Sequence, residues 1–185
     1  MKNMILYITL VLLFSSCDKD DNKSSNELPA ATTTGANTAG CLINGQVFLP
    51  RGNSQFGPTL SCFYQQDQDG YHLGLSIVEK GSNENKSVTI STNPLQLIQN
   101  TTYNLAEQTN NGSNYNSNFG QFIINSNIYS SNQFYTTNTN IGELKITRLD
   151  TQQKIISGTF WYDAINPQGE IVKIRDGRFD MHYVN

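Results

Sequence analysis

KIISGTFWYDAINPQGEIVKIRDGRFDMHY, residues 154–183, decides the fold. Ile156, Phe160 and Tyr162 share one face of an extended run, with Gly158 between them. Farther on, Val172 and Ile174 hold even positions, whereas Phe179, Met181 and Tyr183 hold odd ones. Side chains alternate with period two along a strand, so a one-residue slip turns every one of them over. The parity reverses across Asp176-Gly177, and something there must absorb the reversal. Either these two residues form a hairpin turn, or Gly177 sits in a β-bulge of one long strand. The run at 154–165 needs a partner of equal length, and folding back through Asn166-Pro167-Gln168-Gly169 supplies it. The bulge is therefore the favoured reading. It predicts a positive φ at Gly177, which glycine adopts without steric cost.

Upstream, short alternating runs recur between Gly, Asn and Asp, and no segment holds a 3.6-residue apolar period over three turns. Residues 41–43 and 46–49 flank Asn44-Gly45, a two-residue hairpin signal. Residues 59–65 and 71–79 flank Asp67-Gln68-Asp69-Gly70 as a second hairpin. Further strands are predicted at 86–91, 103–105, 119–124, 133–137 and 143–147, and residues 107–118, EQTNNGSNYNSN, read as a long polar loop. About nine to ten strands predict an all-β domain, an antiparallel sandwich or barrel spanning residues 41–185.

The N-terminus carries an address. Lys2 precedes an apolar run at residues 4–14, broken only by Thr9. As a helix that run reaches about 16 Å, roughly half the hydrocarbon thickness, so it is a secretory signal and not a span. Phe14-Ser15-Ser16-Cys17 resembles the lipobox of bacterial lipoproteins, with Phe14 where Leu is commoner. The resemblance implies cleavage after residue 16, acylation of Cys17 and attachment to the bacterial membrane through that lipid. Asp18-Lys19-Asp20-Asp21 resembles the surface-export signal of Bacteroidota lipoproteins, which implies the outer membrane and exposure at the surface. An Asp directly after the cysteine resembles instead the inner-membrane retention signal of enterobacteria. Residues 17–40, rich in Ser, Thr, Asn and Ala, are expected to form a flexible tether.

Gly35 to Gly45, GANTAGCLING, followed by Pro50, resembles the domain start of a family of flavobacterial lipoproteins of unknown function. Ile156-Ser157-Gly158-Thr159-Phe160, Gly169-Glu170 and Gly177-Arg178-Phe179-Asp180 are similar to that family's C-terminal hairpin. The resemblance implies a β-fold and an exported location, and it carries over no catalytic residue.

Twelve Lys and Arg stand against fifteen Asp and Glu, and charged residues make up only 15% of the chain. Without a basic stripe, nucleic acid is not expected as a partner. Polarity carried by amides and hydroxyls argues against a helical bundle, which needs charged residues on its wet face.

Few constellations carry chemistry. Cys41 and Cys62 are an even pair in an exported domain, which favours a disulfide over two buried thiols. No CxxC, HExxH or GxSxG occurs. His72 and His182 stand far apart in sequence, so no metal and no cofactor is expected. Asp67-Gln68-Asp69-Gly70 begins like a calcium loop, but Val78 holds the position that requires a bidentate Glu, so it reads as a tight turn. Asp163, Glu170, Asp176 and Asp180 gather in the last hairpin beside Lys173, Arg175 and Arg178. Two of these acids could serve a hydrolase if one were buried and kept protonated; cross-strand ion pairs are the simpler reading.

Trp161, the one tryptophan, is out of phase with Phe160 and Tyr162. Facing outward among amide side chains it would stack on a sugar ring, so Trp161 and Tyr162 are the candidate ligand contacts; core cover is the alternative. The functional expectation is a lipid-anchored, non-enzymatic binding or structural protein of the cell surface. A glycan- or small-ligand-binding module and a carboxylate-pair hydrolase are the alternatives, with a glycan or a protein as the partner beyond the membrane.

Overall fold

The structure, a computed structural model, describes residues 27–52, 57–106, 109–111, 114–127 and 130–185. The described residues form twelve strands and no helix. They are β1 Thr38–Ile43, β2 Gln46–Phe48, β3 Leu60–Gln66, β4 Tyr71–Lys80, β5 Asn85–Asn93 and β6 Thr102–Leu105. There follow β7 Thr109–Asn111, β8 Asn114–Asn127, β9 Ser130–Tyr135, β10 Gly142–Asp150, β11 Ile155–Ile165 and β12 Ile171–His182. The all-β expectation holds.

β12 is one long strand with a bulge, as the reversal of parity demanded. Phe160 pairs with Gly177 and Tyr162 with Ile174, so one residue of β11, Trp161, faces two of β12, Arg175 and Asp176. β1 meets the same irregularity on the other side, where Gly40 pairs with Arg178 and Leu42 with Arg175. Val172, Ile174, Phe179, Met181 and Tyr183 are consequently all buried. The residue that takes the positive φ is Asp176, at 50°, and not Gly177. Aspartate tolerates that region better than most side chains. Gly177 is required for a different reason: a Cβ there would run into the ring of Phe160.

The hairpin at Asn44-Gly45 forms as read, with φ of 49° and 83° at its two central residues. At the second hairpin the Asp67 amide donates to the Gly70 carbonyl at 2.9 Å, and Asp67 Oδ1 accepts the Asp69 amide, also at 2.9 Å. The expected loop at 107–118 is instead a polar ribbon, β7 paired with the start of β8. Without an alternating apolar face, that ribbon left no periodic signal to read.

Every ladder is antiparallel, in the order β2-β1-β12-β11-β9-β8-β5-β4-β3. β11 is a fork: β12 runs along one side, while the other is shared by β10 and, at Ile165, β9. The sheet curls until the residues that follow β12 and β2 meet β3 and β4. The Val184 amide donates to Cys62 O at 3.1 Å, the Tyr64 amide to Val184 O at 3.0 Å, and Arg51 bridges β4 at Glu79. Inside lies one apolar core, with Leu73, Leu75, Ile77 and Ile90 facing Leu144, Ile156, Tyr162 and Ile174. Each such side chain is worth about 1.5–3 kcal/mol of burial.

Cys41 and Cys62 are separate buried thiols in this fold, not the expected disulfide. Cys41 lies opposite the bulge of β12, beside Gly177, whereas Cys62 is bonded to Val184 beyond that strand's end. Seven residues of extended chain separate those two positions, on the order of 20 Å. A disulfide needs Cα atoms roughly 4.4–6.8 Å apart. The domain also begins earlier than the expected boundary at Cys41, because residues 29–37 are already docked on β12 and β10.

Candidate functional site

On the outer face of β10, β11 and β12 the registers lay side chains in rows. Thr159 pairs with Lys145 on one side and Arg178 on the other, so Lys145, Thr159 and Arg178 form one row. The next row starts with Glu143 opposite Trp161. On the β12 side of Trp161 lies the bulge, which presents both Arg175 and Asp176 to one residue. The extra residue lets Arg175 swing its guanidinium over the indole, 5.3 Å from the ring centroid. Arg175 also donates to Asp163 Oδ1 at 2.6 Å and to the Tyr162 carbonyl at 3.1 Å. The indole N–H of Trp161 donates to Glu143 Oε2 at 3.1 Å.

These rows line an open cleft of about 470 Å³, with Ala31 of the N-terminal arm closing one part of its wall. The reversal of parity in the sequence and the cleft on the surface thus have one cause. A regular β12 would place a single side chain beside Trp161 and leave its ring uncovered by Arg175.

Tyr162, named with Trp161 as a ligand contact, faces the other way. It is completely buried, with its ring against Gly120 and its hydroxyl donating to the Gln121 carbonyl at 2.7 Å. Adjacent residues on a strand point to opposite faces, so only one of the pair can reach the cleft. Trp161 is the one that does.

Asp180 was expected in an exposed cross-strand pair; it is instead 1% exposed and, among the described residues, makes no ion pair. Its carboxylate accepts the Ser157 hydroxyl at 2.7 Å, the Thr32 hydroxyl at 2.7 Å, and the amides of Thr34, Gly35 and Ala36 at 2.8 to 3.1 Å. Burial pushes its pKa up, but the bonds from Thr32, Ser157, Ala36 and Gly35 outweigh burial and hold the carboxyl well below the usual carboxylate range. The run TTTGA at residues 32–36 supplies the hydroxyl and the backbone amides that converge on this one anion.

The other candidate residues fall apart. His72 Nε2 lies 2.8 Å from Asp67 Oδ1 within its own hairpin, and the His182 amide donates to Asn37 Oδ1 at 2.8 Å on the docked arm. Three of the four acids of the last hairpin have separate partners, Arg175 for Asp163, Asn166 Nδ2 for Glu170 at 2.6 Å, and the arm for Asp180, while Asp176 is exposed. Burial pushes both the Cys41 and the Cys62 thiols up to about 12. Cys17, the expected lipid attachment, lies outside the described residues.

No curated protein and no solved structure matches the chain. A family model, described as a domain of unknown function, DUF6252, matches residues 68–181. That span takes in β4 to β12, with Trp161, both of its charged rows and Asp180, and leaves out the arm that Asp180 holds. It covers more than half of the chain, which belongs to the DUF6252 family.

Proposed function

We propose that this protein is a lipid-anchored, extracytoplasmic binding domain, and that the cleft around Trp161 takes a saccharide or a similar polyhydroxylated ligand. The observation that carries the reading is a partly exposed tryptophan set among charged side chains that are already held by neighbours. Indole gives a sugar ring a flat apolar surface, and oriented carboxylates and guanidinium groups answer its hydroxyls. The signal-like N-terminus and the Cys17 motif support export and anchoring. Three of the four carboxylates of the last hairpin, Asp163, Glu170 and Asp180, already have separate partners, so binding fits this arrangement better than hydrolysis does.

Trp161 is the one tryptophan, so its emission reports on the cleft alone. Titration with neutral and acidic oligosaccharides is expected to give a saturable change for at least one. Calorimetry is expected to show that affinity gone in Trp161→Ala. No saturable change with any oligosaccharide, in protein that melts cooperatively, would overturn the reading.

A further inference from the structure

The charges of the cleft are sorted by row, and the sorting points to the class of ligand. In the first row Lys145 and Arg178 flank the hydroxyl of Thr159. Two strand spacings, about 9.6 Å, separate their backbones, a gap that their long side chains can close over one anion. Among the described residues neither lies within ion-pair distance of a carboxylate. Among the described residues Arg178 bonds only the carbonyls of Asp176 and Pro29, at 3.2 and 3.4 Å, and neither carries a charge to match its own.

The acids belong to the second row. Glu143 is oriented by the indole N–H through Oε2 and keeps Oε1 for another donor; Asp176 is exposed on the crest of the bulge. Arg175 is already matched by Asp163. The cleft thus offers cations in the row beside the indole and acceptors in the indole's own row. A neutral sugar could accept hydrogen bonds from these cations through its hydroxyl oxygens but would leave their charge unneutralised.

From this sorting we infer that the ligand is an acidic saccharide, a sugar bearing a carboxylate or sulfate. Its anionic group sits between Lys145 and Arg178 over Thr159, its ring packs on Trp161, and its hydroxyls donate to Glu143 and Asp176. This rests on the Trp161 cleft being the ligand site.

The test uses the emission of Trp161 in the intact domain. Tetragalacturonate is compared with its fully methyl-esterified form, and a heparin tetrasaccharide with its desulfated form, at low and high salt. At least one charged probe is expected to bind ten-fold or more tighter than its neutral counterpart, with the advantage shrinking as salt screens it. In K145Q/R178Q, checked for an unchanged melting temperature, that advantage is expected to vanish. Preference for the tetragalacturonate assigns a carboxylate, and preference for the heparin fragment assigns a sulfate. Equal binding of charged and neutral forms would overturn the charge inference and leave the cleft standing. An advantage that survives in K145Q/R178Q would overturn the placement of the anion, and no binding of any probe would overturn both readings.

Discussion

The ring of Phe160 lies against Gly177, its cross-strand partner, and fills the space that a side chain at 177 would need. The neighbouring Asp176 carries the positive φ of the bulge. The two residues thus divide the work that one glycine was expected to do.

Gly177→Ala is therefore expected to destabilise the domain by about 1–3 kcal/mol, because Phe160 is itself buried and has nowhere to retreat. Asp176→Gly removes a side chain from a left-handed position and is expected to leave stability unchanged or slightly raised. Thermal unfolding compares them. A Gly177→Ala domain that melts with the parent would mean that Phe160 is free to move.

Asp180 should make stability depend on pH. Its folded value lies below the usual carboxylate pKa of about 3.9. The clamp therefore contributes fully above about pH 5 and is lost as pH falls through 4 toward the folded value. Asp180→Asn keeps one acceptor but turns an NH2 toward donors, so it is expected to cost about 3 kcal/mol at pH 7. Urea midpoints from pH 7 to pH 3 read both effects. The parent should fall toward the variant in acid, whereas parallel curves would remove Asp180 from the account.

Both thiols of the domain should be hidden. Cys41 and Cys62 are buried, with values pushed up to about 12, so neither is expected to react with iodoacetamide at pH 8 in folded protein. Both should be alkylated after unfolding without reductant. A mass that shows the two joined would contradict the separation described above.

Cys17→Ser should abolish incorporation of labelled palmitate in a host that processes lipoproteins. Labelling that persists in the variant would move the anchor away from Cys17.

The last hairpin was legible because its alternation is strong and its length leaves one partner. The bulge followed from parity and that length together. What parity could not say was which residue bends, since Asp176 and Gly177 both suit a bulge and the deciding fact is the position of Phe160 across the ladder. Trp161 could be assigned to the outer face by phase, but the same phase placed Tyr162 inside, and pairing the two as ligand contacts ignored that. The arm was unreadable for a different reason. Residues 32–36 have no apolar pattern, and their order comes from one distant carboxylate that composition cannot reveal.

That carboxylate also decides how the domain bears a pull. The chain upstream of residue 27 continues from the docked arm, so tension on it reaches the bonds at Asp180 before the ladder between β1 and β12. The clamp acts as the strain relief on a cable does. A tug from the leading segment is spent on a few bonds to one buried anion, and those can re-form without the sheet ever having opened.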